Sequence, residues 1–130
     1  MLHHIELNVS SLSASKQFWG WLLEELGYEW YQEWDAGVSL RYGSTYIVFV
    51  QTRQEHLDPS FHRAKTGLNH LAFSAKSREQ IDFITNQLKQ KGYTILYEDR
   101  HPHAGGPGHY AVFCEDPDRI KVEVVAPVGS

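Results

Sequence analysis

The sequence contains one cysteine, Cys114, and one methionine among its 130 residues. A single thiol excludes an intrachain disulfide and a zinc site built from several cysteines. No run of Lys or Arg is present, so the sequence does not predict a nucleic-acid groove. It also lacks the basic start and apolar run of a secretory signal and any apolar stretch of membrane-spanning length. We therefore expect a cytoplasmic protein with no nucleic-acid or membrane partner.

The composition is that of a folded globular chain. Hydrophobic residues make up 42% of the sequence and aromatic residues 13%, and the net charge is −4 with histidine neutral. This length fits one domain with a substantial core. Eight histidines are present. Histidine is the commonest metal ligand in proteins and titrates near neutral pH, so the useful question is which of the eight share a site.

One segment pattern occurs twice. The run His-Ile-Glu-Leu-Asn-Val from residue 4 matches His-Leu-Ala-Phe-Ser-Ala from residue 70, and each alternates as a short strand with histidine on one face. A helical pattern follows each run, over about residues 14–26 in the first copy. It ends in each case at a Gly-Tyr pair, beginning at Gly27 and Gly92. Serines precede both helical patterns as candidate caps, including a capping box from Ser77 to Gln80.

Three strand candidates follow each predicted helix, at about residues 29–34, 38–42 and 45–51, and then 94–97, 109–115 and 120–126. The chain therefore reads as one α+β domain of two tandem βαβββ modules, which together form an open, cup-shaped mixed β-sheet with flanking helices. Module one covers about residues 1–52, a polar linker about 53–67, and module two about 68–127. A four-stranded sheet with one helix leaves a face uncovered, so we expect the two modules to pack together.

Three residues are candidate metal ligands. His4 and His70 occupy matching positions in the two copies, and Glu123 stands alone among apolar residues on the last predicted strand. A buried, unpaired carboxylate is costly, and a metal ion would relieve that cost. Each residue alone is more simply explained as a core histidine or an exposed acid. Together, at related positions, they favour a metal site.

The motifs that carry these residues resemble the vicinal-oxygen-chelate superfamily, which includes glyoxalase I, fosfomycin-resistance enzymes, extradiol dioxygenases and bleomycin-sequestering proteins. They are the run from residue 4, Gly-Leu-Asn-His-Leu-Ala-Phe from residue 67, and Phe-Cys-Glu-Asp-Pro-Asp from residue 113 with Lys-Val-Glu-Val after it. The resemblance implies paired βαβββ modules and one divalent metal held by His4, His70 and Glu123. It also implies a homodimer, as in many short members.

Two histidines and one carboxylate leave metal positions open for Fe, Mn, Zn or Ni and for two neighbouring oxygens of a substrate. We therefore expect a metal-dependent lyase, isomerase or dioxygenase acting on a small molecule. The sequence departs from individual members. The strand at 45–51 lacks the second carboxylate usual in glyoxalase I, and Phe113 stands where extradiol dioxygenases carry Tyr. The alternative is a non-catalytic protein, similar to those of bleomycin resistance, that sequesters an aromatic compound or antibiotic.

Other residues are predicted to contact the substrate or to act on it. Glu6 shares a face with His4, and it is either a fourth ligand, a general base or an exposed edge residue. The loop at about 100–109 is either a mobile lid or a solvated loop. His3 is predicted to point away from His4, and Trp30 and Trp34 to share one strand face. The predicted substrate-binding residues are Trp34, Phe49, Gln51, His103, His109 and Tyr110.

Overall fold

The computed structural model describes residues 1–129, which form two compact units that divide between Ser60 and Phe61. Each unit contains one helix and an open four-stranded mixed sheet, in the order βαβββ. The predicted α+β fold of two repeated βαβββ modules is confirmed. No helix among the described residues is long and apolar enough to cross a membrane.

Unit 1 consists of β1 (His4–Val9), α1 (Leu12–Glu25), β2 (Glu29–Trp34), β3 (Gly37–Tyr42) and β4 (Thr45–Gln51). Its strand order is β1-β4-β3-β2, and β1 runs parallel to β4. Ser11 caps α1, because its side chain accepts a hydrogen bond from the Ala14 amide at 3.3 Å. Gly27 follows α1 with φ of 96°, a left-handed conformation that favours glycine.

Unit 2 repeats the topology with β5 (Leu71–Ser74), α2 (Arg78–Lys91), β6 (Ile95–Leu96), β7 (Ala111–Glu115) and β8 (Lys121–Val125). Its strand order is β5-β8-β7-β6, and β5 runs parallel to β8. Ser77 caps α2 by accepting from the Gln80 amide. The Gln80 side chain reaches back to the amide of Lys76, one residue before the position that a capping box predicts.

The helix of each unit covers one face of its own sheet. In unit 1 the Trp19 indole stacks on Phe49 of β4, with ring centroids 5.1 Å apart, and both side chains are almost fully buried. In unit 2 the apolar stripe of α2 is fully buried, as are Val112, Val122 and Val124 of the strands. Burying one such aliphatic side chain stabilises the fold by about 1.5–3 kcal/mol. The opposite face of each sheet is therefore the one available for polar side chains.

An irregularity in β2 separates two tryptophans that simple alternation places together. The register with β3 shifts between Trp30 and Gln32. Trp30 packs over Gly20 of α1, where an added Cβ would lie 2.6 Å from the indole. Trp34 packs over Gly37 of β3, whose neighbour across the sheet is Val50, on the face away from α1. The prediction that Trp30 and Trp34 share a face is wrong, because a β-bulge inverts the alternation.

The predicted linker is partly structured. It contains a short 3-10 helix, Gln54–His56, and Arg63 belongs to unit 2. The Arg63 guanidinium binds the Glu115 carboxylate at 2.5 Å and the carbonyl of Arg119 at 3.0 Å. This residue therefore fastens the connecting segment to the hairpin between β7 and β8.

That hairpin is organised by the buried side chain of Asp116. Its Oδ1 accepts hydrogen bonds from the amides of Asp118 and Ile120, each at 2.8 Å. Arg119 adopts φ of 64°, in the region where glycine is usual. Asp116, Pro117 and Asp118 form the turn, and Arg119 completes it in a left-handed conformation.

Candidate functional site

The polar face of unit 2 carries a nearly buried carboxylate, Glu123, whose residue is 6% exposed. Glu123 lies opposite Ala72 of β5 and Phe113 of β7, in the middle of the sheet. His70, the residue before β5, reaches the same face. Its Nε2 lies 3.1 Å from Glu123 Oε1. The structure pairs two of the three predicted metal ligands.

The tautomer of His70 follows from its other ring nitrogen. Nδ1 lies 2.7 Å from Asn69 Oδ1, which can only accept, so Nδ1 carries the proton. A neutral His70 therefore presents the lone pair of Nε2 toward Glu123. Two acceptors at this distance repel unless a cation or a proton lies with them. Divalent metals are commonly bound by a carboxylate together with an imidazole that an outer hydrogen bond orients. Glu123 and His70 supply these two ligand types.

His109 contacts the second oxygen of the same carboxylate. Its Nε2 makes a short hydrogen bond to Glu123 Oε2. The ionic partners of Glu123 within residues 1–129 are thus two histidines, with no Lys or Arg among them. The sequence predicts His109 as a substrate contact and does not predict its pairing with Glu123.

The ring of His109 is held by its own loop. Gly105 lies under it, so close that an added Cβ would be 2.4 Å from His109 Cδ2. The His109 amide bonds to the Gly106 carbonyl, and the Phe113 ring lies 6.5 Å away at an angle of 30°. Successive turns order the segment from Tyr97 to His109 throughout. The loop therefore consists of successive hydrogen-bonded turns, which place the His109 ring beside the Glu123 carboxylate.

His4, the third predicted ligand, belongs to unit 1. Its ring stacks on Tyr46 with centroids 4.7 Å apart, and its Nδ1 lies 2.9 Å from His3 Nδ1. The prediction that His3 points away from His4 is wrong, because β1 begins at His4 and alternation does not govern the residue before it. Glu6 is exposed on the same face as His4, as predicted. The roles of His4 and Glu6 toward a metal stay predictions.

Two predicted substrate contacts face the helix of unit 1 instead of its polar face. Phe49 is 1% exposed and packs on Trp19. The Gln51 side chain ties β4 to the start of α1, because it accepts from the Leu12 amide and donates to the Ser10 carbonyl, both at 2.9 Å. We assign structural roles to both residues.

Tyr110 and His103 form a separate contact beside α2. The Tyr110 hydroxyl donates to Asp82 Oδ1 at 2.5 Å, and this hydrogen bond is the main reason why the pKa of Tyr110 is raised. The Arg78 guanidinium lies 4.8 Å from the centre of the Tyr110 ring, and the His103 ring packs edge-on with its centroid 5.5 Å from that of Tyr110. Tyr110 therefore packs on the helix side of the sheet, whereas its neighbour His109 points to the polar face.

Within residues 1–129, no group of three His, Cys, Asp or Glu side chains is arranged so as to hold a metal ion as it stands. His70 and His109 contact opposite oxygens of Glu123 and do not surround one point. The donor chemistry of His70 and Glu123 fits a divalent metal, and a complete ligand set needs at least one further group. Sequence reasoning missed Asn69 and Gly105, which orient the two imidazoles.

Comparison with known proteins gives consistent results. The model of the Glyoxalase/Bleomycin resistance protein/Dioxygenase superfamily matches residues 1–124. The uncharacterised protein YqjT of Bacillus subtilis is 60% identical over 126 residues, or 97% of this chain and 98% of that protein. The glutathione transferase FosA of Serratia marcescens is 27% identical over 95% of this chain and 78% of its own length. The crystal structure of a Bacillus halodurans protein assigned as a glyoxalase is 64% identical, with a TM-score of 0.97 over 98% of this chain and 96% of that chain.

Proposed function

Because the chain belongs to the Glyoxalase/Bleomycin resistance protein/Dioxygenase superfamily, we propose that it is a divalent-metal-dependent enzyme acting on a small substrate with two neighbouring oxygens. The proposed reaction is of the lyase, isomerase or dioxygenase type. The observation that carries the proposal is the pairing of His70 with the buried Glu123, whose ionic partners within the described residues are histidines and include no Lys or Arg. Such a carboxylate needs a positive partner, and a metal ion supplies one.

In this proposal His70 and Glu123 hold the ion from unit 2, and His4 is the third ligand predicted from the sequence. Asn69 accepts from Nδ1–H of His70, so in the neutral imidazole the lone pair lies on Nε2, the nitrogen that would bind the metal. A bound divalent metal would act as a Lewis acid that stabilises negative charge developing on substrate oxygen. Glu6 is either a fourth ligand or the base that removes a substrate proton.

Metal analysis of the untagged protein tests the proposal directly. The wild type, His70→Ala and His56→Ala are purified in parallel, and their bound Fe, Mn, Zn and Ni are measured by mass spectrometry. His56 lies exposed in the 3-10 helix of unit 1 and is not one of the predicted ligands, so its variant controls for the loss of an imidazole as such. We expect metal in the wild type and in His56→Ala and a loss in His70→Ala. Equal metal content in all three proteins would contradict the proposal.

One observation favours a second function, the binding of an aromatic compound without catalysis. Tyr31 and Trp34 are each more than two-fifths exposed, and the Arg41 guanidinium lies 4.7 Å from the Tyr31 ring. Exposed rings beside a cation are suited to stacking with an aromatic ligand. A fluorescence screen against aromatic ligands, with and without chelator, separates the two functions. Binding that survives complete metal removal supports the second function.

A further inference from the structure

Glu123 divides its two carboxylate oxygens between two histidines with different roles. His70 Nε2 lies 3.1 Å from Oε1, and His109 Nε2 bonds to Oε2. We propose that His109 is a positioning residue that orients Glu123, so that Oε1 and His70 form the metal-binding pair. This inference rests on the proposed metal site, and it adds to that site a partner outside the ligand set predicted from the sequence.

The direction of the hydrogen bond supports this division. The Glu123 contact with His109 Nε2 is shorter than that with His70 Nε2, so His109 is assigned as the donor through an Nε2–H group, whereas His70 donates its Nδ1–H to Asn69. The lone pair of that nitrogen is then absent, and His109 is not a ligand while the bond persists. Glu123 is almost buried, so Oε2 has little access to water as an alternative donor. Without His109 the carboxylate is free to rotate, and Oε1 is no longer held toward His70.

The ring of His109 is fixed independently of Glu123. Gly105 contacts one side of it, and the turn from Gly106 sets the position of its backbone. The donor is therefore in place before any ion arrives. Outer hydrogen bonds of this type orient metal-binding carboxylates, and their loss typically lowers metal affinity by about 10- to 100-fold.

His103 provides a matched control in the same loop. Its ring lies against Tyr110, near Asp82 of α2, and not at the carboxylate. A change at His103 alters the composition and charge of the loop in the same way as a change at His109. Only the change at His109 removes a donor to Glu123.

Titration of the metal-free, untagged, full-length protein with Co²⁺, followed by visible absorption, measures affinity and ligand environment together. His109→Phe keeps a ring beside Phe113 and Gly105 but removes the donor. His109→Gln places an amide N–H at a reach similar to that of Nε2. We expect His109→Phe to weaken cobalt binding at least about tenfold, His109→Gln to restore most of the affinity, and His103→Phe to match the wild type.

A role in packing alone predicts the opposite order, with Phe tolerated better than Gln, and that order would overturn the inference. Cobalt affinity that is unchanged in His109→Phe but lost in His70→Ala would also overturn the inference. That result would leave the proposed metal site standing. An altered cobalt spectrum in His109→Gln would make His109 a direct ligand and exclude a positioning role. Should His109→Phe fail to fold by circular dichroism, His109→Asn replaces it, because its shorter amide does not reach Oε2. A wild type that binds no cobalt would refute the metal site and this inference together.

Discussion

Alanine at Gly105 offers a way to displace the His109 ring without removing any polar group. The added Cβ would lie 2.4 Å from His109 Cδ2 and 3.1 Å from Nε2, whereas ordinary contacts begin at 3.4 Å. The ring must therefore move by about 1 Å. It cannot move toward Glu123, because Nε2 already contacts Oε2. A shift of this size away from the carboxylate carries the donor out of hydrogen-bond range.

Gly108 supplies the matched variant. It belongs to the same loop, a Cβ added there would meet no atom within 4 Å, and neither glycine has a positive φ. We expect Gly105→Ala to weaken Co²⁺ binding about tenfold and Gly108→Ala to leave it unchanged. Gly108→Ala should also stabilise the fold by about 0.4–1 kcal/mol, because alanine restricts the unfolded chain. Absorption titration and thermal melts measure the two effects, and equal cobalt affinities in the two variants would refute the reasoning.

The remaining predictions concern stability and reactivity. Gly20→Ala should destabilise the wild-type protein, because the added Cβ meets the Trp30 indole, but it should stabilise the Trp30→Ala variant by about 1 kcal/mol. Urea unfolding of the two single variants and the double variant measures this coupling, and additive changes in the free energy of unfolding would contradict it. Asp116→Ala should lower the free energy of unfolding by about 2 kcal/mol or more, since two amides lose their acceptor; a urea midpoint equal to that of the wild type would exclude this. Burial raises the pKa of the Cys114 thiol to about 12, so iodoacetamide should modify it only in unfolded protein; rapid labelling of the native state would be inconsistent with that burial.

The duplicated topology could be predicted from the sequence because its signals are local. Capping serines, the glycines after the helices and alternating runs each depend on neighbours in the chain, and the helix and strand bounds follow them closely. The predicted strand at 94–97 is shortened to Ile95–Leu96, since Tyr97 turns to φ of 57°. Tyr97 shows no pattern that distinguishes it from a strand residue. Local signals therefore give the order of elements better than their ends.

The proximity of His70 to Glu123 could also be predicted, because the resemblance to the superfamily implies that both residues hold one metal ion, and β5 pairs with β8 in the structure. The contact of His109 with the other carboxylate oxygen of Glu123 could not be predicted. His109 arrives through a loop whose path depends on Gly105, and sequence patterns do not encode such a path. The burial of Phe49 against α1 could not be predicted for a different reason. Its alternation relative to His4 puts it on the helix face, a register that only the pairing of β1 with β4 defines.

The first strand of each unit has a single strand neighbour, which is the last strand of that unit. During synthesis on the ribosome, β5 therefore cannot join its sheet until β8 has been synthesised. His70 and Glu123 are separated by 53 positions, and they meet only when this closing strand docks. A nascent chain thus carries dispersed imidazoles and carboxylates rather than a finished binding pair. The proposed metal-binding pair therefore forms only when the unit has completed its sheet.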